Sequence, residues 1–297
     1  MLTRNFSDYL WLHLIILLSS IIPVIVIYIS IPAFEIVFYR TIVATLFLGS
    51  MLYFKKVTIR LNIEESLRLM LSGVLTAIYW ILLIISAKIS NASVCLIGIS
   101  TSPLWTSFIT PFVNKEKFSY LQIITALLVI LGIVVITRQG FEHPIGLTVS
   151  IIAGFFGALV TIINARLSRN YNHYIISFYQ MAGAWLGTIA LAPIYYFVFD
   201  SNWNINLNLT PRDALLILVL VLIFSVYMYS KFIQLMRSVS PYIVTLTANL
   251  SPVYGMIIAL IFLGESEKMS LSFYEGSAII IGAILFYHIA KKYVPTR

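Results

Sequence analysis

The sequence predicts an all-α integral membrane protein, with ten transmembrane helices arranged as two inverted five-helix repeats around a central cavity. Of its 297 residues, 60% are hydrophobic and only 10% are charged, and the mean hydropathy is +0.98. Soluble domains carry about 25% charged residues, so this composition argues against a water-soluble fold. The apolar residues form continuous runs of about twenty, which cross a bilayer as helices, rather than the roughly ten-residue alternating segments of a β-barrel.

Four landmarks occur twice along the chain at the same spacing, which indicates an internal duplication. Each copy has a basic residue, then a Ser-Pro pair inside an apolar run, then a glutamate. The landmarks are Lys88, Ser102, Pro103 and Glu116 in the first copy and Arg237, Ser251, Pro252 and Glu265 in the second. Nearer the start of each half, the Phe-Tyr-Arg triplet at residues 38–40 matches the Phe-Tyr-Gln triplet at residues 178–180.

Ten apolar segments account for the predicted spans, five in each half. In order, they cover residues 9–29, 34–54, 67–87, 92–113, 118–137, 145–167, 174–199, 214–236, 241–263 and 273–290. The join is predicted at residues 138–144, which gives one repeat over residues 1–140 and a second over residues 141–297 of a single membrane domain. Because five is an odd number, the second half enters the membrane from the opposite side, and inverted repeats are typical of secondary transporters.

The distribution of charge predicts the orientation and argues against a nucleic-acid partner. The net charge of +8 is spread over short loops between apolar runs. With the N-terminus inside, thirteen of the 19 Lys and Arg residues fall in cytoplasmic segments and four in outer segments, while Arg40 and Lys231 lie within helices. The positive-inside rule then predicts a multi-pass protein of the cell inner (plasma) membrane with both termini cytoplasmic.

The two inverted halves and their repeated landmarks resemble the EamA-type branch of the drug/metabolite transporter superfamily. The resemblance covers essentially the whole chain, and Arg40 sits where that family often has an arginine in its second helix. The first copy departs from the family pattern, since Asn114, Lys115 and Glu116 replace the Leu-Gly-Glu that the second copy keeps at residues 263–265. The resemblance implies a ten-helix transporter, and the branch includes exporters of amino acids and other small metabolites.

Arg40 is the first candidate for substrate binding. It lies about six residues into its predicted helix, roughly 9 Å along the axis, which is deep for a cation in a bilayer. Its planar set of donors suits a substrate carboxylate. The alternative is a structural arginine that caps backbone carbonyls or pairs with Glu275. For Lys231, near the inner end of its helix, the alternatives are snorkelling to the interface and a role in the cavity or an inner gate.

Aromatic residues in the middle of helices are further candidates, because their rings combine apolar contact with a polar tip. Mid-helix Tyr and Trp residues that could line a cavity include Tyr229. The full set of predicted substrate-binding residues is Arg40, Tyr79, Trp80, Ser102, Trp105, Tyr179, Gln180, Trp185, Tyr227, Lys231, Asn249 and Tyr254. Pro103 and Pro252 are predicted hinges, since proline frees a carbonyl and permits bending, although static kinks would explain them equally well.

These features favour a secondary transporter that exports small metabolites, with amino acids or related amphipathic compounds first, by alternating access. An importer or exchanger of phosphorylated or nucleotide-linked solutes is the alternative within the same class, and it would need several cations in the cavity. A membrane enzyme or a lipid scramblase is the alternative from another class. The expected partners are a small-molecule substrate and the lipid bilayer, with a homodimer possible; no catalytic cluster, metal site or cofactor motif is recognisable.

Overall fold

The structure is a computed structural model that describes residues 2–57, 61–115, 119–136, 142–199, 205–248, 250–263 and 270–293. Over these residues the chain forms fourteen α-helices and one π-helical segment. The helices are α1 (Leu2–Ser19), α2 (Ile22–Ile27), α3 (Ala33–Phe54), α4 (Ile63–Ile89), α5 (Ala92–Ile99), α6 (Ser102–Asn114), α7 (Tyr120–Ile136), α8 (Pro144–Asn170), α9 (His173–Phe199), α10 (Pro211–Val219), α11 (Tyr229–Leu235), α12 (Pro241–Ala248), α13 (Ser251–Leu263) and α14 (Leu271–Tyr293). The π-helical segment, Leu220–Met228, joins α10 to α11.

Seven helical segments of the described chain are long and apolar enough to cross a membrane. They are Phe6–Ile27, Ala33–Phe54, Ile63–Ile89, Ala92–Val113, Pro144–Asn170, His173–Val198 and Pro211–Leu235. Two shorter apolar helices, α7 and the first part of α14, fall on two further predicted spans. The remaining predicted span, at residues 241–263, falls on α12 and α13. The prediction of an all-helical membrane protein is therefore confirmed.

Two predicted spans of the first half are each divided into two helices, although each is still one apolar segment long enough to cross a membrane. The first divides between α1 and α2, and the fourth divides between α5 and α6. Each interruption lies just before a proline, Pro23 or Pro103, in the first turn of the following helix. Proline has no N–H and its ring clashes with the preceding turn, so the upstream carbonyls lose their helical partners. The hydroxyl of Ser102 donates instead to the carbonyl of Ile99, four residues before Pro103, at 2.7 Å.

The same interruption recurs in the second half. The α5–α6 pair has 8 and then 13 residues, and so does the α12–α13 pair. α13 begins at Ser251, so Pro252 also takes the second position of its helix. Asn249, between α12 and α13 in the sequence, lies outside the described residues, and so do the repeated landmarks Glu116 and Glu265.

The first turns of two spans carry capping residues that the loops supply. α4 begins with a capping box, in which the Asn62 side chain accepts from the Glu65 N–H and Glu65 reaches back to the Asn62 N–H. α10 begins in the same way with Thr210 and Asp213. Both caps satisfy backbone donors that a helix start leaves without intrahelical partners.

Corresponding helices of the two halves pack against each other in antiparallel pairs. α3 packs against α9 with Gly49 beside the Phe178 ring at one end, while Glu35 bonds Tyr196 at the other. In α7 and α14, Gly132 lies against Gly276, which sits near the start of α14. The core between the halves thus joins elements that are far apart in sequence.

Close backbone contact between α4 and α9 depends on glycines. A Cβ on Gly183 would lie 2.0 Å from the Met70 carbonyl oxygen, and one on Gly73 would lie 2.1 Å from the Gln180 carbonyl oxygen. Small residues allow helices in membranes to approach this closely. Gly282 on α14 differs, since no described atom lies within 4 Å of its Cβ position.

We expect Gly183→Ala to destabilise the protein by about 1–3 kcal/mol, because overpacking forces two backbones apart. Gly282→Ala is the matched control; it should be neutral or mildly stabilising, since alanine favours a helix by up to about 1 kcal/mol over glycine. Thermal unfolding of both variants in detergent, followed by size-exclusion chromatography, measures the difference. Equal unfolding temperatures would contradict the packing described for α4 and α9.

Candidate functional site

A cavity lies at the centre of the bundle, between helices of both halves. Its volume is about 180 Å³, and its wall is mostly apolar, with Ile16, Leu83, Leu96 and Phe232 among the lining residues. The polar or charged lining residues are Ser19, Arg40, Tyr79, Ser102, Thr161, Tyr229, Thr245 and Ser251. An apolar wall with a few polar groups is the usual form of a small-molecule site.

Among the described residues that line the cavity, Arg40 is the one that carries a charge. It lies in the second turn of α3, and 2% of its side chain is exposed. Its guanidinium carbon sits 3.9 Å from the centroid of the Trp80 ring. Its Nε donates a hydrogen bond of 2.6 Å to Ser225 Oγ. The stacked ring and the hydroxyl together fix the plane of the guanidinium, and stacking on tryptophan favours a desolvated cation.

The π-helical segment positions Ser225. The Ser225 hydroxyl donates to the carbonyl of Leu220, five residues earlier, at 3.2 Å, and accepts from Arg40. The hydroxyl is therefore used both as a donor and as an acceptor. The segment packs against α3, and π-helical turns occur frequently at functional sites. The departure from α-helical geometry thus coincides with the contact that holds Arg40.

Arg40 has no acidic partner among the described residues. Glu275, which the sequence offered as an alternative partner, is exposed. The ion pair found among the described residues joins Arg68 to Glu64 instead. A guanidinium carries five N–H donors, and Ser225 accounts for the one on Nε. The terminal nitrogens make no hydrogen bond with any described residue. A buried cation on a cavity wall can therefore receive an anion from within the cavity.

A hydrogen-bond network lies beside the cavity and ties four helical segments together. The Tyr229 hydroxyl lies 2.9 Å from Gln180 Oε1, 3.2 Å from Thr76 Oγ1 and 3.3 Å from Asn164 Nδ2. Gln180 Nε2 donates to Asn164 Oδ1 at 2.6 Å and to Ser72 Oγ at 2.7 Å. Such a network is stable when every member is satisfied, and costly when one is removed.

The structure brings part of the predicted site together. Arg40, Tyr79, Trp80 and Ser102 line the cavity. Gln180, which matches Arg40 in the duplicated triplet, does not line it but bonds Tyr229, which does.

The other predicted residues lie elsewhere. Trp105 packs edge-on against Phe155 with ring centroids 5.3 Å apart, and its indole N–H, like that of Trp185, is buried without a described partner. Tyr179 and Tyr254 pack at the borders of hydrophobic clusters.

Tyr227 and Lys231 also lie away from the cavity. Tyr227 is 53% exposed, so its ring faces away from the bundle core. The Lys231 ammonium donates to Gln234 at 3.1 Å and lies 5.1 Å from the centroid of the Trp11 ring. Neither lines the cavity.

Sequence reasoning missed several polar residues that hold the site. Thr76, Asn164 and Ser225 are buried inside apolar runs and contact Arg40 or Tyr229. A polar residue in the middle of a transmembrane run is costly unless it faces protein or water, and this signal could have found them.

Glu35, an acid in the first turn of α3, is also deeply buried. Its side chain is 0% exposed, and Oε1 accepts from the Tyr196 hydroxyl at 2.9 Å and the Asn206 N–H at 3.1 Å. Nearby, the two Asp213 oxygens accept from the N–H and hydroxyl of Ser30 at 2.8 and 2.6 Å. These bonds join the two halves at the end of the bundle where α3 begins.

Comparison with known families decides the identity. The model of the EamA-like transporter family matches residues 7–138 and then matches residues 144–288. The chain belongs to the EamA-like transporter family. The family lies within the drug/metabolite transporter superfamily, its members are transporters, and the double match makes this chain two sequence repeats of one EamA unit.

Solved structures support the fold of this EamA-like chain. One structure, titled "Crystal structure of protein", superposes with a TM-score of 0.69 at 14% identity, covering 97% of this chain and 99% of the other. At that identity, the likeness establishes the fold alone. Among curated proteins, none matches the chain significantly.

We expect Tyr229→Phe to destabilise this EamA-like protein by about 1–3 kcal/mol, because Gln180 Oε1 would be left buried without its donor. Tyr227→Phe is a control only two residues away, and its exposed ring should tolerate the change. Unfolding of both variants in detergent, monitored by tryptophan fluorescence, measures the loss. If the two variants were equally stable, the network would not support the cavity wall.

Proposed function

We propose that this EamA-like transporter exports small amphipathic metabolites that carry a carboxylate, with amino acids first among them, by alternating access around the central cavity. The observation that carries the proposal is Arg40, a buried cation on the cavity wall without a described counter-ion. A charge taken from water into a protein needs a partner, and a substrate carboxylate would supply it. A bidentate pair with the terminal guanidinium nitrogens would also fix the orientation of the substrate.

The apolar part of the wall supports an amphipathic substrate. Leu83, Leu96 and Phe232 offer contact for a hydrocarbon or aromatic portion, while Tyr79 and Tyr229 add hydroxyl groups. The alternative hypothesis, transport of phosphorylated or nucleotide-linked solutes, would require several cations in the cavity. Among the described lining residues, Arg40 is the basic one, which favours a single carboxylate.

The proposed architecture is ten spans in two inverted halves. Three observations support it: the double family match, the equal lengths of α5–α6 and α12–α13, and the antiparallel packing of α3 on α9 and of α7 on α14. In an inverted repeat, corresponding helices run in opposite directions. The two interruptions, with Pro103 and Pro252 just after them, are the proposed hinges about which the halves rock.

The proposed orientation places both termini in the cytoplasm and the protein in the cell inner membrane. The excess of Lys and Arg in the segments on one side supports it. In this orientation, α3 begins at the outer side, so the bonds of Glu35 and Asp213 close the outer end of the bundle.

Uptake by proteoliposomes tests the function directly. Purified protein is reconstituted, and the vesicles are screened with pooled radiolabelled amino acids and small carboxylates. We expect accumulation of at least one member of the pool over protein-free vesicles. Absence of any signal, with movement of fluorescent lipid between leaflets instead, would overturn the proposal in favour of a scramblase.

Arg40→Lys tests the role of the guanidinium in that assay. The variant should keep its fold but lose about tenfold or more of the initial uptake rate. Lysine cannot form the bidentate pair, and a charge-assisted hydrogen bond contributes about 1.5–3 kcal/mol. Arg212→Lys, at an exposed arginine outside the cavity, is the matched control. Uptake by Arg40→Lys at the wild-type rate would remove Arg40 from the binding site.

Single cysteines test the inverted arrangement. Cys95 is buried and is the chain's one cysteine, so a Cys95→Ala background is suitable. Lys56 follows the end of α3, and Asn208 lies in the loop between α9, the corresponding helix of the second half, and α10. We expect a membrane-impermeant maleimide to label Asn208→Cys on intact cells and Lys56→Cys only after permeabilisation. Labelling of both from the same side would contradict the inverted repeat.

A further inference from the structure

A second cavity lies on the flank of the bundle, between the first turns of α4 and the last turns of α8. Its volume is about 840 Å³, and three arginines line it: Arg68, Arg166 and Arg169. Leu71 and Ile163 are among its apolar lining residues. We call this cavity the arginine crevice. It is separate from the central cavity, and the transport proposal gives it no role.

The arginines of the crevice differ in how they are neutralised. Arg68 pairs with Glu64 at 2.9 Å, but both side chains are largely exposed, so this ion pair contributes little. Arg166 donates from Nη2 to the carbonyl of Val113 at 2.6 Å, and Arg169 makes no hydrogen bond or ion pair with the described residues. Two arginines therefore keep their full positive charge at the crevice.

A second carboxylate of α4, that of Glu65, bonds other groups. Glu65 accepts a hydrogen bond of 2.8 Å from the hydroxyl of Tyr171, which itself lines the crevice. This bond raises the pKa of Tyr171 above its usual range, because loss of the proton would place two anions side by side. Glu65 also bonds the Asn62 N–H in the capping box. The three arginines of the crevice outnumber Glu64 and Glu65 beside it, so the crevice is electropositive, with donors available for an anion.

An exposed apolar stripe leads from the same end of α4. Ile63, Leu67 and Leu71 recur every four residues, so they share one face of the helix. They are 81%, 54% and 65% exposed, respectively. In a membrane-spanning helix, such a face contacts lipid chains. Because Leu71 belongs both to the stripe and to the crevice wall, the apolar face and the arginines form one continuous surface.

We propose that the arginine crevice binds an anionic phospholipid of the membrane leaflet on its side, the inner leaflet in the proposed orientation. The headgroup phosphate pairs with Arg166 and Arg169, and an acyl chain runs along Ile63, Leu67 and Leu71. Basic pockets between transmembrane helices on the cytoplasmic side are suited to such headgroups. A free anion would satisfy the arginines but leave the stripe unused, whereas a phospholipid satisfies both parts.

A bound lipid would touch the network beside the central cavity. Ser72 lines the crevice, and its hydroxyl accepts from Gln180, which bonds Tyr229 on the cavity wall. A short chain of hydrogen bonds therefore connects the lipid site to the substrate cavity. A lipid in the crevice would stabilise the position of Tyr229 on the cavity wall through this chain.

Native mass spectrometry of the full-length protein tests the proposal without any transport assay. The detergent-solubilised protein is mixed with equal amounts of phosphatidylglycerol and phosphatidylethanolamine that carry the same acyl chains. The detergent is then removed in the mass spectrometer, and the lipids that stay bound are measured. We expect the wild type to retain phosphatidylglycerol preferentially. Arg166→Gln/Arg169→Gln should weaken that binding about tenfold, as loss of charge-assisted hydrogen bonds requires. Lys55→Gln/Lys56→Gln, which removes the same charge at the same end of the bundle, should keep the preference.

Two further measurements distinguish a lipid from free phosphate and keep the test informative if the double variant misfolds. Leu71→Gln should weaken phosphatidylglycerol binding, while millimolar inorganic phosphate or glycerol 3-phosphate should not displace the lipid. Arg169→Gln alone, at a residue without described bonds to lose, should give part of the effect if the double variant fails to fold. Equal retention of the two lipids by the wild type, an equal loss in the Lys55/Lys56 control, or displacement by free phosphate would overturn the proposal.

Discussion

The stacking of Arg40 on Trp80, with Ser225 fixing its Nε, is the constraint on which the rest of the site depends. A guanidinium buried in a bilayer is tolerated only where protein or water meets its donors. Here, the ring and the hydroxyl hold the group on the cavity wall without neutralising it. The protein therefore keeps a positive charge in an apolar surrounding, where it attracts an anion more strongly than it would in water.

Holding that charge requires helices that depart from regular geometry. The π-helical segment lets Ser225 reach both Arg40 and its own upstream carbonyl, and the interruption before Pro103 places Ser102 on the cavity wall. Each departure leaves backbone groups without helical partners. The hydroxyl of Ser102 satisfies one of these groups, the carbonyl of Ile99, from within the chain, so the interruption is stable in a solvent that offers no hydrogen bonds.

The parts of this structure that follow from local sequence were predictable, and the parts that depend on tertiary contact were not. Hydropathy alone identifies the apolar spans, because a bilayer requires about twenty apolar residues in a row. Arg40 stands out for the same reason, as a charge inside such a run. The pairing of Gln180 with Tyr229 is different, since it joins two spans that meet only in the folded bundle. Tyr227 and Tyr229 look alike in sequence, yet one faces outward and the other lines the cavity, because residues two apart on a helix point about 200° apart. Which of the two faces the core is decided by the helices packed around them.

The acid that could have cancelled Arg40 lies on the same helix but is used elsewhere. Glu35 and Arg40 are five residues apart on α3, which separates them by roughly 7.5 Å along the axis and about 140° around it. Glu35 consequently meets Tyr196 of α9, while Arg40 meets Ser225 of the π-helical segment. Had the two been four residues apart, they would share a face and could pair across one turn. Because of the five-residue spacing, the carboxylate bonds the other half of the chain while the cation faces the cavity. One helix therefore both joins the halves at the end of the bundle and keeps a positive charge at its centre.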